Sequence, residues 1–161
     1  MAPQTALEIR PLAVPDLAPV YAWIEGNPLF ARYGMSRTTL AAGLERAVAD
    51  PEALVVGAFA PEGKLTGFAW FVKRGAFARS GYLRLIVVDP AAESSGTGRA
   101  LMQHLEAKHL KPNGIFLLTT DSNVEAQSFY SRLGYRKVGE IPDYVHAGLT
   151  EWIYHKAPAR T

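Results

Sequence analysis

The feature that most constrains the fold is a change of pattern in the middle of the chain. An apolar run at residues 82–88 ends at Asp89-Pro90, and a short polar loop leads to Gly96-Thr97-Gly98, where a helical pattern begins at once. A strand that turns through glycines into a helix brings backbone amides and the positive end of the helix dipole together. Such a turn is suited to bind an anion; a glycine-rich turn without a ligand is the alternative reading.

The size and composition of the chain favour one folded unit. Of its 161 residues, 48% are hydrophobic and 20% are charged, which predicts a single domain, residues 1–161, with a core of its own. The formal net charge is only +2, so no nucleic-acid partner is expected. The absence of cysteine excludes disulfides, thiolate metal sites and cysteine nucleophiles.

No segment is predicted to enter a membrane or to direct secretion. The N-terminus lacks a charged stretch followed by an apolar run, and no apolar run approaches membrane-spanning length. We therefore expect a soluble, cytoplasmic protein with no membrane partner. The four histidines, at positions 104, 109, 146 and 155, show no metal-ligand spacing, so no metal is expected.

Apolar periodicity predicts an α/β fold with one mixed sheet of six or seven strands. The predicted strands are 7–10, 53–60, 65–72, 82–88, 114–120, 135–141 and 150–156. About four helices are predicted on both faces of the sheet: one opened by Pro15-Asp16, one capped by Ser36, and two at 99–110 and 123–133. Residues 25–34 and 73–80 are predicted as connections.

Two common phosphate-binding patterns fit the glycine turn poorly. A nucleotide-binding P-loop requires Lys and then Ser or Thr after its second glycine, whereas Gly98 is followed by Arg99 and Ala100. A dinucleotide fingerprint requires a third glycine where this chain has Leu101. Either nucleotide-binding hypothesis would require that ATP or a dinucleotide competes for binding at the turn.

The segment VVDPAAESSGTGRAL, residues 87–101, resembles the acetyl-CoA motif of the GNAT superfamily of N-acetyltransferases. In that motif a strand ending in V-x-P leads, after a spacer, to Q/R-x-x-G-x-G/A at the start of a helix. Val88 and Pro90 match the strand end, and Gly96 and Gly98 match the turn. Glu93 replaces the usual glutamine or arginine, and we expect this carboxylate to face solvent, away from a pyrophosphate.

A second segment, NVEAQSFYSRLGYRKVG at residues 123–139, resembles the other signature of the same family, N-x-x-A-x-x-F-Y-x-x-x-G-F/Y. The matching residues are Asn123, Ala126, Phe129, Tyr130, Gly134 and Tyr135. It follows the first motif in the order helix, strand, helix. The resemblance implies a GNAT-like fold of mostly antiparallel strands, splayed at a central parallel pair, with acetyl-CoA as co-substrate.

The resemblance also implies which residues bind the coenzyme. The implied set is Ile86, Val87, Val88, Ser94, Ser95, Gly96, Thr97, Gly98, Arg99, Ala100, Asn123, Ala126, Phe129 and Tyr130. Amides of the turn would bind the pyrophosphate, and the preceding strand would pair with the pantetheine arm. Tyr130 matches the family's general acid for the departing thiolate, and a core tyrosine is the alternative. Asn123 is also suited to cap its helix.

The acceptor side is less clearly marked. A pocket is expected among residues 25–33, Tyr82, Arg84 and residues 143–148, where Phe30, Tyr33 and Tyr144 either line it or cover the core. The candidates for a general base are Glu25, Tyr82, Asp121, His146 and Glu151. These segments are not strongly acidic, which argues against polycationic acceptors.

These observations predict an enzyme that moves an acetyl group from acetyl-CoA to the primary amine of a small molecule by direct attack in a ternary complex. A protein lysine or N-terminal acetyltransferase is the variant, and a non-catalytic acyl-CoA-binding regulatory module is the alternative of another class. The resemblance also suggests a homodimer, for which Trp152 in the last strand is a candidate contact; burial of Trp152 within the monomer is the other reading.

Overall fold

The fold is built on a seven-stranded mixed sheet. The computed structural model describes residues 6–160. The strands are β1 (Glu8–Pro11), β2 (Ala53–Phe59), β3 (Leu65–Ala76), β4 (Ser80–Val88), β5 (Ile115–Thr120), β6 (Arg136–Pro142) and β7 (Thr150–Lys156). Their order is β1-β2-β3-β4-β5-β7-β6, and every neighbouring pair is antiparallel except β4 and β5.

Helices cover both faces of this sheet. They are α1 (Ala18–Glu25), α2 (Pro28–Arg32), α3 (Arg37–Ala49), α4 (Thr97–His109) and α5 (Val124–Arg132). Val55 packs in a core cluster with residues of α1 and α3, whereas its neighbour Val56 packs in a second cluster with residues of α4. Because successive strand residues point to opposite faces, these clusters define an α1–α3 face and an α4–α5 face.

The described residues contain five α-helices where about four were predicted. The extra one is α2, in a segment predicted as a connection. It has both local start signals, since Pro28 is its first residue and the side-chain oxygen of Asn27 accepts the Leu29 N–H at 3.0 Å. Strand β3 also runs four residues further than predicted, to Ala76.

The central parallel pair is short. Gly81, Tyr82 and Leu83 pair with Ile115, Phe116 and Leu117, and the pairing stops there. On its other side, β4 contains one extra residue: Leu83 pairs with Phe71 and Leu85 with Trp70, which leaves Arg84 unmatched. Such a bulge bends a strand and increases its twist. Beyond it, β4 pairs with β3 and β5 pairs with β7, so the two parallel strands diverge.

The last strand is internal to the sheet, because β7 lies between β5 and β6. Its backbone is therefore fully paired within the sheet, and a dimer contact at this strand, as predicted for Trp152, would have to be made by side chains. Trp152 is partly buried, and the Lys137 ammonium lies 3.6 Å from the centre of its ring. The edge strands of the sheet are β1 and β6.

Close packing between β3 and α4 leads to a first prediction. A Cβ added at Gly67 would lie 2.6 Å from Thr97 Cγ2 and 3.2 Å from the carbonyl oxygen of Val87. We expect Gly67→Ala to lower the free energy of unfolding by about 1–3 kcal/mol, because backbone and a buried side chain must move. Gly139→Ala in β6 is the control, since its only neighbour within 4 Å is Ile153 Cδ1 at 3.4 Å. Urea denaturation that gave both variants equal stability would contradict this account.

Candidate functional site

The candidate site is the opening between the divergent ends of β4 and β5. We call it the cleft and define it by residues 84–88 of β4 and 118–120 of β5. These parts of the two strands do not pair with each other. Leu83 and Leu117, the last pair before the strands diverge, belong to the core cluster on the α4–α5 face, as does Tyr130. Tyr130, the predicted acid, therefore belongs to the same core cluster as the residues at which the cleft begins.

Asp89 fixes the start of the loop that leaves β4. Its side chain is about 10% exposed; Oδ1 accepts the Ala91 N–H at 3.0 Å, and Oδ2 lies 3.1 Å from the Lys64 ammonium. The hydrogen bond from Ala91, and next the Lys64 charge, lower the pKa of Asp89 and outweigh the opposing effect of burial. Sequence reasoning treated Asp89 only as part of the strand end; its position before Pro90 was the available signal for a cap.

The first turn of α4 presents backbone amides. Gly96 begins the helix in the left-handed conformation, with φ 84°, and no side chain caps it. Because the first amides of a helix have no partner within the helix, those of α4 are available to an anion. Glu93 is exposed, as expected, and so are Ser94, Ser95 and Arg99.

Two of the predicted binding residues in this turn can act only through their backbone or through their size. Thr97 is 1% exposed, and its hydroxyl lies 2.8 Å from Ser95 Oγ and 3.4 Å from Thr66 Oγ1. A Cβ at Gly98 would lie 3.3 Å from Phe129 Cζ. The two sequence motifs therefore meet at Gly98, because the ring of Phe129 packs directly on it.

The cleft-lining strand offers backbone rather than side chains. Val87 is buried in the cluster on the α1–α3 face, whereas Ile86 packs against the cluster on the α4–α5 face. Val88 lies on the Gly98 side, with its Cγ2 3.7 Å from the position of an added Cβ there. Since β5 does not pair with this part of β4, its edge has polar groups free for an extended ligand. An open strand edge beside an uncapped helix fits the pantetheine arm and pyrophosphate of a coenzyme A.

The second motif places α5 against the α4–α5 cluster and the start of α4. The Asn123 side chain caps the helix by accepting the Ala126 N–H at 3.1 Å, so the capping role is present. Ala126 is partly buried against the α4–α5 cluster, and Ala100 is partly buried in α4. Tyr130 is 6% exposed, with its ring centre 5.1 Å from that of Phe129. Burial raises the pKa of Tyr130, so its hydroxyl keeps its proton at neutral pH.

A groove of about 730 Å³ opens on the α1–α3 face beside the cleft. We call it the aromatic groove; it is lined by α3, by β4 and β5, and by the β6–β7 loop. Tyr82, Arg84 and Tyr144 line it, as predicted for the acceptor pocket. Residues 25–33 do not line this groove: Phe30 is buried in the core, which was the alternative reading, and Met35 with the first turns of α3 lines the groove instead.

Among the five candidates for a general base, Glu151 is the buried carboxylate. Glu25, Asp121 and His146 are exposed, and Glu25 lies 3.5 Å from the Arg37 guanidinium. Glu151 is 2% exposed, and burial, helped by the Asp121 charge, raises its pKa against the lowering effect of a hydrogen bond from Tyr33.

A chain of hydroxyl groups connects Glu151 to the cleft. The Tyr33 hydroxyl donates to Glu151 Oε1 at 3.1 Å and also contacts the Thr120 hydroxyl. Thr120 is the last residue of β5, the strand that borders the cleft. Burial is also the main cause that raises the pKa of Tyr82, on the same side of the sheet.

The described part of the chain has neither a membrane-spanning helix nor a cluster of metal ligands. None of the helices within residues 6–160 is long and apolar enough to cross a bilayer. In the same residues, no group of three or more His, Asp or Glu side chains is arranged to hold a metal ion.

Comparisons with known sequences identify relatives for most of the chain. A profile of the acetyltransferase (GNAT) family matches residues 19–135, which include the first motif and the second as far as Tyr135. Mycothiol acetyltransferase of Pseudarthrobacter chlorophenolicus is 31% identical over 127 residues, which are 72% of this chain and 39% of that protein. The alignments with curated relatives span between 39% and 54% of those proteins' own lengths.

Solved structures share the fold over nearly the whole chain. Spermidine N-acetyltransferase from Vibrio cholerae, in complex with CoA and spermine, gives a TM-score of 0.75 at 16% identity, covering 93% of this chain and 94% of that one. The ribosomal-protein-S18-alanine N-acetyltransferase from Escherichia coli gives 0.72 at 22% identity, covering 96% and 97%. The prediction of a GNAT-like fold is confirmed. These two enzymes are named for different acceptors, so the shared fold does not identify an acceptor for this chain.

The bonds of Asp89 predict a pH-dependent contribution to stability. Because folding lowers its pKa, this contribution is present above the ordinary pKa of aspartate and is lost as the pH falls through the lowered value. We expect Asp89→Ala to cost about 1 kcal/mol of unfolding free energy at neutral pH, and Asp89→Asn less, since its amide oxygen still accepts from Ala91. The advantage of wild type over Asp89→Asn should disappear in acid. Thermal unfolding of both proteins at neutral and at acidic pH measures this advantage. A stability difference between them that does not change with pH would refute the prediction.

Proposed function

Because the chain belongs to the acetyltransferase (GNAT) family, we propose that it transfers the acetyl group of acetyl-CoA to the primary amine of a small molecule. The observation that carries the proposal is the cleft between β4 and β5, with an uncapped helix start nearby and a buried tyrosine, Tyr130, in the core cluster that includes the last paired residues of the two strands. The donor and acceptor would enter from opposite faces of the sheet and meet in the cleft.

The coenzyme would be held chiefly by backbone groups. The amides of Gly96, Gly98 and Arg99 would bind the pyrophosphate, and the open edge of β4 at Ile86 and Val88 would pair with the pantetheine amides. Ser94, Ser95 and the Arg99 guanidinium are exposed at the turn and would add polar contacts to the phosphates. Phe129 supports the turn through its contact with Gly98.

Tyr130 would supply a proton to the leaving sulfur. Acetyl-CoA provides an acetyl thioester, in which the carbon–sulfur bond breaks as the amine nitrogen bonds to the acetyl carbon. The phenol of Tyr130 is protonated at neutral pH because burial raises its pKa. Burial moves the pKa of Tyr130 further above the reference pKa of a thiol. A thiolate formed in the same apolar surroundings is disfavoured in the same way, so the thiol pKa is raised as well and the difference between the two is reduced.

Glu151 would receive the proton that the amine loses. Its carboxylate is too deeply buried for direct contact with solvent, and the hydroxyls of Tyr33 and Thr120 lead from it to the edge of the cleft. A carboxylate with a raised pKa is a stronger base than an exposed one, which suits this task.

Binding and turnover are tested separately. Acetyl-CoA, CoA, ATP and NAD are titrated in a thermal-shift experiment, in which a ligand of the native state raises Tm. A set of primary amines is then assayed for CoA release and for an acetylated product by mass spectrometry. Stabilisation by the CoA species together with product supports the proposal. Stabilisation without product from any small amine or peptide would instead favour a non-catalytic acyl-CoA-binding module.

Removal of the Tyr130 hydroxyl separates catalysis from binding. We expect Tyr130→Phe to lower kcat by roughly 10²- to 10⁴-fold, as for loss of a general acid, while acetyl-CoA raises Tm as much as in wild type. Tyr21→Phe is the control, because Tyr21 is a buried tyrosine of the opposite cluster and its hydroxyl has no hydrogen-bond partner within residues 6–160 that the substitution would remove. Unchanged kcat in Tyr130→Phe would remove Tyr130 from the mechanism.

Replacement of Glu151 should separate activity from stability. Because folding raises its pKa, protonation of Glu151 stabilises the fold; this effect is complete below the ordinary pKa of glutamate and is lost as the pH rises through the raised value. At neutral pH, Glu151→Gln should therefore be at least as stable as wild type, while turnover falls by about 10²-fold.

Glu106→Gln is the control for the Glu151 variant. The Glu106 carboxylate lies 2.7 Å from the Lys156 ammonium, and both side chains are largely buried, so the variant should lose stability and keep its turnover. A Glu151→Gln protein that is destabilised and fully active would show that Glu151 has only a structural role. Denaturation curves measure the stability of each variant, and initial rates at the same pH measure its turnover.

A further inference from the structure

The charges that line the aromatic groove are all of one sign. Arg46 and Arg84 line it, and within residues 6–160 no Asp or Glu side chain does. Neither guanidinium forms an ion pair with an acidic side chain of the described chain; the Nε of Arg46 donates to the carbonyl oxygen of Ala42 at 3.2 Å. A groove lined by unpaired arginines repels an acceptor that carries a positive charge besides its amine, and it attracts an anionic group.

Of Arg46 and Arg84, Arg84 lies closer to the proposed site of acetyl transfer. It is the extra residue of the bulge at which β4 leaves β5, so it lies at the mouth of the cleft. Its guanidinium carbon lies 4.6 Å from the centre of the Trp70 ring, and Trp70 also lines the groove. Stacking on the indole holds the side chain on the groove side and leaves the guanidinium N–H groups free to bind a carboxylate.

The remainder of the groove is apolar and aromatic. Its lining includes Phe116, Leu118 and Ile153 from the sheet. Three of the six large hydrophobic side chains that are exposed in the described chain also line it: Phe77 (83% exposed), Tyr144 (63%) and Val145 (49%). Phe77 stacks edge-on against Phe116, with ring centres 5.5 Å apart. Exposed apolar side chains gathered around one groove indicate a ligand with an apolar part.

We propose, on the premise of the N-acetyltransferase activity above, that the acceptor is an apolar or aromatic α-amino acid whose carboxylate binds Arg84. In such a molecule one carbon separates the carboxylate from the amine. A carboxylate bound at the mouth of the cleft therefore places the amine at the entrance, and the side chain lies on the apolar surface of the groove. Arg46, on α3, adds positive potential along the same groove.

The test compares acceptors that differ only in the carboxylate. Phenylalanine is assayed beside phenethylamine, which lacks the carboxylate, and phenylalaninamide, in which it is neutral. The amine of phenylalanine is less basic than that of phenethylamine and more basic than that of phenylalaninamide. At neutral pH the neutral fraction falls as basicity rises, so amine basicity alone cannot favour phenylalanine over both. Tryptophan with tryptamine, leucine with isoamylamine, and spermidine complete the set.

Wild type is expected to favour each carboxylate-bearing acceptor in kcat/KM by roughly 10- to 100-fold, mostly through KM, as for loss of a hydrogen bond to a charged group. Arg84→Gln is expected to reduce this preference by a similar factor, because it weakens the binding of the carboxylate selectively. Arg74→Gln is the control: Arg74 lies on β3 outside the groove lining and pairs with Glu52, so the preference should not change.

The results separate this inference from the proposed function. Equal or better use of phenethylamine, phenylalaninamide or spermidine, or an equal loss for all acceptors in Arg84→Gln, would overturn the inference and leave acetyl transfer intact. Preference for phenylalaninamide would point to peptide N-termini. If acetyl-CoA raises Tm but no amino acid is acetylated, the inference also fails. No shift with acetyl-CoA and no product from any amine would instead refute the proposed function itself.

Discussion

The early end of the pairing between β4 and β5 is the constraint on which the rest of the site depends. The bulge at Arg84 is accommodated by antiparallel pairing with β3, and the parallel partner is lost as a result. A strand edge inside a sheet would normally leave unsatisfied amides and carbonyls, which is costly. An extended ligand that fills the cleft would remove this cost, so the imperfection in the sheet also creates the site that we propose for a pantetheine arm.

Close contacts at glycines hold the elements around the cleft. Gly67 lets α4 approach β3 at Thr97, and Gly98 lets the ring of Phe129 contact the first turn of α4. The helix start, the strand end and α5 are thereby fixed to one another before any ligand binds. With these elements held in place, the proposed anion site at the start of α4 and the proposed acid Tyr130 would need little rearrangement on binding.

The prediction from sequence was most accurate where local patterns determine structure. Asn123 and Ser36 cap their helices as their positions suggested, because a side-chain cap involves only the next three residues. The helix α2 was missed although Asn27 and Pro28 mark its start, since two aromatics and a nearby glycine suggested a loop. The place of β7 in the sheet was not predicted, because strand order depends on pairing between distant segments; β6 pairs on the far side of β7 and makes it internal.

Residues close together in the chain specify the family's motifs, the strand–turn–helix around Gly96 and the helix that carries Tyr130, so these features could be predicted from sequence. Contacts between distant segments establish which base candidate is buried and which charges share the groove. Tyr33 contacts Thr120 and Glu151 across 87 and 118 residues of sequence. The order of strands in the sheet creates such contacts, and no local pattern of apolar and polar residues contains that order.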